Sequence, residues 1–286
     1  MIDLNGLTKG NRIDIMKNRC APIQICWLGY NNSTGLKNMD YLVADQNLIK
    51  KDEENLYLEK ILFLPKIWNA YSLPAELPPI NCQNKKDNSL FSYGSFNNFK
   101  KISDDTIDVW SKIIKNSKSQ IYLKNPQENA CLDLQENIIK KFTERGVEKH
   151  KIKFLETKKN TFEHLNLYNK IDLALDTFPY PGVTTSFEAV LMGVPVLTMR
   201  GYNFNSRCGE SINTNLQMEN FIAKDKNDYF EKAISFQNSP NDLKKIKLNL
   251  RNKVLSSPLF DTKIFAKDFT ETLKKVYLKH MGLDKV

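Results

Sequence analysis

IDLALDTFPYPGVTTSFEAVLMGVPVLT, residues Ile171–Thr198, is the stretch on which the reading of this chain turns. Ile171–Leu175 is a short apolar run of the kind that a buried parallel strand shows. Asp176–Gly182 is a loop containing two prolines and a glycine, and Val183, Thr184, Thr185 and Ser186 then open a helix. The first N–H groups of a helix lack intrahelical acceptors, and the helix dipole favours negative charge there. A strand that passes through a Gly/Pro loop into a Thr/Ser helix start is therefore suited to an anion such as phosphate. Thr184, Thr185 and Ser186 add hydroxyl donors, and Gly182 permits a close backbone approach or a positive φ. Glu188, one turn beyond Thr184, is placed to accept hydrogen bonds from ribose hydroxyls. A plainer reading is compatible with this one: Thr184 or Thr185 caps the helix, and Glu188 completes a capping box three residues after Thr185.

Outward from this stretch the same alternation repeats. Strands are expected at Leu90–Phe96, Gln120–Leu123, Lys151–Leu155 and Val194–Thr198. Helices are expected at Asp104–Lys115, Leu132–Arg145, Thr161–Tyr168, Thr185–Met192 and Arg207–Asn213. That spacing implies βαβ units and a parallel sheet covered on both faces, with right-handed crossovers. Such a sheet binds its ligand beyond the carboxyl ends of its strands. Helices then dominate at Lys226–Phe236, Pro240–Val254 and Thr262–His280. Before the alternation, residues 71–88 carry Pro74, Pro78 and Pro79 among Asn, Lys and Asp, which reads as a linker. Residues 1–70 hold shorter strand-like runs at Ala21–Leu28, Tyr41–Ala44 and Lys60–Leu64.

The bulk properties narrow the function classes. With 41% hydrophobic residues in 286, the chain can bury a core. Its net charge of +9 is spread in short patches such as Lys85-Lys86 and Lys158-Lys159, so no nucleic-acid arm is indicated, although a mild excess suits a diphosphate ligand. Cysteines at 20, 26, 82, 131 and 208 are odd in number and show no CxxC spacing. Neither a disulfide framework nor a zinc site is expected, and a reducing cytoplasm is the default location. The N-terminus has no apolar signal-peptide core, and no apolar run is long enough to span a membrane.

The ordered set of motifs resembles the O-linked N-acetylglucosamine transferase family. The acidic residue, Pro loop, GVTTS, EA and MGVPVLT of the central stretch are similar to that family's donor-binding segment. LNGLTKGNR (Leu4–Arg12) and APIQICWLGYNNSTGLKNMDYLVAD (Ala21–Asp45) resemble the end of its N-terminal lobe, and SSPLFDTKIFAKDFTETLKKVYLKH (Ser256–His280) its closing helix. The resemblance covers nearly the whole chain. It implies an α/β, GT-B-type fold in which a Rossmann-like parallel-sheet C-terminal lobe accompanies a partial N-terminal lobe. The implied division is residues 1–70 as a remnant of the N-terminal lobe, 71–88 as linker, 89–260 as the UDP-sugar-binding lobe, and 261–286 as a helix returning to the N-terminal part.

The resemblance also carries residue roles. Lys101 is expected to offset charge on departing UDP and so act in catalysis; read without the resemblance, it is an exposed lysine beside Lys100. Asn98 takes the place of an amide that contacts the nucleotide-sugar. His164 falls where the family stacks a histidine on uracil, with backbone from Lys159 to Thr161 reading the base edge. Gly182, Thr184 and Thr185 hold the phosphates, and Glu188 the ribose. Gly29 and Thr34, with Tyr30 and Gly35, form a loop near the sugar, or simply a turn. Arg207 and Glu210 are given structural roles. The implied reaction is inverting transfer from a UDP-sugar, UDP-N-acetylglucosamine above all, to a protein or peptide Ser/Thr hydroxyl without a metal ion. The family's helical repeats and most of its N-terminal lobe have no counterpart in this sequence, so a fragment, or a partner chain supplying them, is expected. Two alternatives stay open: a nucleotide-sugar-binding fragment without catalysis, and a transferase using another UDP-sugar or a small acceptor.

Overall fold

A computed structural model describes residues 1–81, 90–124 and 132–283. Cys82 and Cys131, the end of the expected linker and the last residues of the expected closing helix lie outside the described residues. Two parallel sheets are present. The first contains β1 (Ile2–Asp3), β2 (Ile25–Cys26), β3 (Tyr41–Ala44) and β4 (Lys60–Phe63) in that order. The second is built from β5 (Phe91–Ser95), β6 (Ser119–Leu123), β7 (Ile152–Phe154), β8 (Leu173–Leu175), β9 (Val196–Met199) and β10 (Ile222–Ala223), ordered β10-β9-β8-β5-β6-β7. Every pairing is parallel. The order reverses at β5 and β8, which makes their carboxyl ends the switch point where doubly wound sheets bind ligands.

The helices follow from the apolar spacing. They are α1 (Ile13–Met16), α2 (Asp104–Lys115), α3 (Leu132–Glu144), α4 (Thr161–Asn166), α5 (Thr184–Leu191), α6 (Cys208–Asn215), α7 (Lys226–Asn238), α8 (Pro240–Leu255) and α9 (Thr262–His280). In α2, Ser103 accepts the Thr106 N–H as N-cap, Asp104 and Asp105 lie in the first turn and Lys112 and Lys115 in the last. Its buried face is Ile107, Trp110, Ile113 and Ile114. The expected Ala21–Leu28 strand is only Ile25–Cys26, because Leu28 adopts φ 79° and turns the backbone out of the sheet. The two-residue strands β1 and β10 and the short α1 were not expected from the sequence.

One hydrophobic core runs through both sheets. Cys26, Leu42 and Ala44 of the first sheet share it with Tyr93, Ile121, Leu173 and Leu197 of the second. The opposite face of the first sheet, Ile25, Val43 and Leu64, is covered by α9 through Phe265, Phe269 and Leu273. Trp27 packs on Phe269 with ring centroids 4.4 Å apart. Polar ties join the sheets as well. The Arg207 guanidinium donates to both Glu53 oxygens and to the Leu48 carbonyl, and Ser211 donates to Asp45 at 2.7 Å. Tyr71–Asn81 crosses between the sheets with no regular element. Among the described residues, no helix is long and apolar enough to cross a membrane.

Candidate donor-binding site

The loop from β8 to α5 is organised around a buried carboxylate. Asp176 is 2% exposed. Its Oδ1 accepts the Gly182 N–H at 2.7 Å, the Thr177 N–H at 3.0 Å and the Asn97 amide at 2.9 Å, while Oδ2 accepts the Thr198 hydroxyl at 3.0 Å. Burial raises the Asp176 pKa, and these donors and the nearby Lys101 charge act against that. The rest of the loop is clamped from α2: the Ser103 and Thr106 hydroxyls both donate to the Phe178 carbonyl, at 2.8 and 2.9 Å.

Lys101 closes the loop from the other side. It lies on a 3-10 turn, Phe99–Lys101, directly after β5. Its ammonium donates to the Pro181 carbonyl at 2.8 Å and stands 3.8 Å from the centroid of the Tyr180 ring. Burial lowers its pKa, opposed by the nearby charge of Asp176. This is therefore a half-buried cation fixed against the loop that leads into α5, not the freely solvated lysine of the plainer reading.

At the start of α5 no cap forms. The N-cap position is Val183, with no side-chain cap, so neither Thr184 nor Thr185 caps the helix and Glu188 completes no capping box. The reason is visible in the bonds: the Thr185 hydroxyl donates to Asn97 Oδ1 at 2.5 Å, and Glu188 is turned inward. Thr184 is exposed. Ser186 and Phe187 N–H groups both reach Val183 O, whereas those of Thr184 and Thr185 have no backbone acceptor among the described residues. Gly182 does not adopt positive φ; its need is space, since a Cβ would lie 2.4 Å from Thr185 Oγ1 and 2.6 Å from Asn97 Oδ1.

Glu188 and His164 form the second half of the site. Glu188 Oε2 lies 2.8 Å from His164 Nε2 and accepts the Tyr168 hydroxyl at 3.0 Å, and Oε1 accepts the Tyr71 hydroxyl at 3.4 Å. Burial beside this carboxylate pushes the Tyr71 hydroxyl up to about 12, and the Tyr168 hydroxyl is also raised, so both remain donors at neutral pH. His164 lies on α4, with its ring centroid 6.4 Å from that of Phe96 at the end of β5. Lys159 and Thr161 are exposed beside it.

The remaining expected residues sit differently. Asn98 spends its carbonyl oxygen as cap of the 3-10 turn, accepting the Lys100 N–H at 3.0 Å, and the amide at the centre of the loop network is its neighbour Asn97. Thr34 is buried, with its N–H and hydroxyl both on Glu59 at 2.7 and 2.5 Å. At Gly29 a Cβ would stand 2.2 Å from the Leu4 carbonyl, so this glycine serves a close chain crossing. The loop that carries them reaches the site through Asn31, whose amide nitrogen is 3.5 Å from Cys208 Sγ. Sequence reading missed Asn97, Tyr71 and Tyr168. The FNN pair of asparagines was a signal for the first; nothing local marked the two tyrosines, whose partner is distant in sequence. Among the described residues no group of three or more His, Cys, Asp or Glu side chains is arranged to hold a metal.

Comparison with known proteins places this geometry in context. The profile described as Glycosyl transferase family 41 matches residues 1–71 and 82–269. A protein of Eustoma exaltatum subsp. russellianum named as probable UDP-N-acetylglucosamine–peptide N-acetylglucosaminyltransferase SPINDLY is 29% identical over 98% of this chain and 30% of its own length. A protein of the same name from Oryza sativa subsp. japonica is 30% identical over 97% of this chain and 29% of its own. The chain thus spans about a third of the length of these curated relatives. Among solved structures, a mutant O-GlcNAc transferase of Thermobaculum terrenum superposes with a TM-score of 0.89 at 27% identity, covering 98% of this chain and 53% of that one. A sucrose-phosphate synthase of Thermosynechococcus elongatus, 13% identical with a TM-score of 0.58 over 85% of this chain and 60% of that one, shares the fold alone.

Proposed function

The chain belongs to glycosyl transferase family 41, and from that premise we propose that it grips the nucleotide of a UDP-sugar, UDP-N-acetylglucosamine, for inverting transfer to protein Ser/Thr hydroxyls. The observation that carries the reading is the meeting of Lys101 with the loop into α5. The Lys101 ammonium is held on Pro181 O, in the loop that leads into α5, and that helix starts with Thr184 and Thr185 N–H groups that have no backbone acceptor among the described residues. In this reading the β-phosphate sits there. As the acceptor oxygen attacks the sugar carbon and its bond to UDP breaks, negative charge grows on the leaving diphosphate. Lys101 and the α5 dipole meet that charge from fixed positions, without reorganising during the reaction. His164 stacks on the uracil and Glu188 accepts from the ribose.

In this reading the described residues supply the donor half, and the chain covers 53% of the Thermobaculum structure. We therefore read the transferase as working in a longer polypeptide or with a partner chain that supplies the rest of the N-terminal lobe or its repeats, in a reducing cytoplasm. A binding lobe without transfer by itself is the second reading that this coverage favours. The reading assigns no role to a metal.

Calorimetry with UDP, followed by a transfer assay with a panel of UDP-sugars and a GDP-sugar against peptides, tests both. UDP binding with transfer from UDP-N-acetylglucosamine supports the first. UDP binding without transfer supports the second, and transfer only from a different sugar nucleotide replaces the donor assignment. No binding of UDP overturns the reading altogether.

A further inference from the structure

Lys124 stands out among the groups that the donor site has not yet used. It follows β6 directly, and its N–H donates to the Ser95 carbonyl at 3.1 Å. Leu123 pairs with Ser95 of β5 on one side and Phe154 of β7 on the other, so Lys124 stands at the carboxyl edge of the sheet. There it lies between the β5 loop, which bears Lys101, and the β7 loop, which leads into α4 and His164. The residue is only 3% exposed. Among the described residues its ammonium has no hydrogen-bond or ion-pair partner, yet it is not among the polar atoms sealed from solvent. Lysine is almost never this buried without a partner, because desolvating its charge is costly. The Glu188 charge acts on it from nearby, favouring the ammonium against the effect of burial.

A buried ammonium with no hydrogen-bond partner among the described residues, on a residue at the ligand edge of the sheet, calls for a polar ligand. We propose that Lys124 is a further donor-site residue, whose ammonium hydrogen-bonds the nucleoside end of the bound nucleotide, at the base carbonyl or ribose oxygens beside His164 and Glu188. The inference rests on the donor reading above and adds a division of labour to it. Lys101 is spent on the diphosphate side, next to Pro181 and the start of α5. Lys124 stands level with Phe96, whose ring packs on His164 and Tyr168, and serves the nucleoside side.

The test titrates UDP, uridine and pyrophosphate into the unmodified protein and into Lys124→Met and Lys101→Met. Methionine keeps the apolar stem and removes the charge. Loss of one hydrogen bond from a charged group should weaken binding about tenfold or more. The expected result is that loss for UDP and uridine, but not pyrophosphate, with Lys124→Met, and for UDP and pyrophosphate, but not uridine, with Lys101→Met. Unchanged uridine affinity in Lys124→Met, or an equal loss for pyrophosphate, overturns the proposal. Should Lys124→Met fail to fold, reductive methylation of the unmodified protein decides: Lys124 should be protected by uridine, and equal modification with and without it overturns the assignment. Failure of the unmodified protein to bind UDP removes the donor reading itself, whereas normal binding with a silent Lys124→Met removes only this inference.

Discussion

His164 on α4 and Glu188 on α5 meet with 2.8 Å between Nε2 and Oε2. They are the two residues expected at the base and the ribose, and here they are bonded to each other. The same carboxylate also accepts from Tyr168 and Tyr71, and Tyr71 belongs to the segment that crosses between the two sheets. The tyrosine ring stacks on Phe187 with 5.7 Å between centroids, on the same helix as Glu188. The crossing segment is thus fastened directly to the candidate donor site.

Glu188→Gln tests that arrangement. An amide keeps the shape and can still accept from one tyrosine, so folding should lose only about 1–2 kcal/mol. A neutral oxygen is a weaker acceptor for a ribose diol, and UDP affinity should fall about tenfold while pyrophosphate affinity stays level. Calorimetry with the two ligands checks this, and an equal fall for both would show that the variant disturbs the start of α5 instead.

Lys101 gives a pH signature. Burial lowers its folded pKa below the ordinary lysine value, and the same holds for Lys124. As pH rises, each loses its charge earlier than a solvated lysine, so UDP affinity should begin to fall below the ordinary lysine range. Stability moves the other way. Between the lowered folded value and the ordinary one the unfolded chain holds more protons, so these groups make stability rise with pH across that window. Comparing the chain with Lys101→Met, by UDP titration and by urea midpoint across alkaline pH, should remove part of both slopes. Slopes identical in the variant would mean that Lys101 contributes to neither.

Gly182→Ala separates site geometry from folding. The added methyl meets side-chain ends, Thr185 Oγ1, Asn97 Oδ1 and Ser186 Oγ, the last at 2.9 Å, and not backbone. Those ends can move, so the stability cost should be about 1–2 kcal/mol. Moving them breaks the Thr185–Asn97 hydrogen bond that holds Thr185 in place, so on the proposed donor reading UDP affinity should fall by tenfold or more. A variant that melts normally and binds UDP normally would show that the Asn97–Thr185 contact does not shape the site.

The second sheet was legible because its strands are short apolar runs between helices with 3.6-residue spacing; α2 and α9 have the boundaries expected from the sequence. The turn from β8 into a helix opening at Thr184 was legible because helix-start chemistry is local. What escaped was non-local. Nothing in the sequence near Thr185 shows that its hydroxyl will be taken by Asn97, so capping stood as the plainer reading, compatible with phosphate binding. Asn98 was named from the resemblance alone, and only the path of the chain shows that its neighbour Asn97 is the amide at the centre of the loop network. Thr34 looked like a ligand residue until Glu59, from the edge of β4, occupied both of its donors. The two-residue strands β1 and β10 are too short for any period to register.

The tie between the sheets can be read through acid titration. Arg207 donates two hydrogen bonds to the Glu53 carboxylate and a third, from Nη1, to the Leu48 carbonyl at 3.1 Å. The hydrogen bond from Arg207 is the main reason that Glu53 is lowered to about 2 from 4.5, with burial working against it. A carboxyl whose folded pKa is depressed contributes stability that is fully present above its unfolded value and disappears as pH falls through the folded one. The window for Glu53 therefore runs from about 4.5 down to about 2. Part of the side chain is open to water, so screening should hold the contribution to about 1 kcal/mol. Glu53→Gln should lower the unfolding free energy read from urea titration at neutral pH by that amount, and the gap from the unmodified chain should close steadily across the window. Arg207→Met should cost more at every pH, about 2–4 kcal/mol, because it also strands the Leu48 and Gly201 carbonyls that the guanidinium serves. A gap for Glu53→Gln that persists unchanged at the acid end would mean that this ion pair orients the sheets without contributing to their stability.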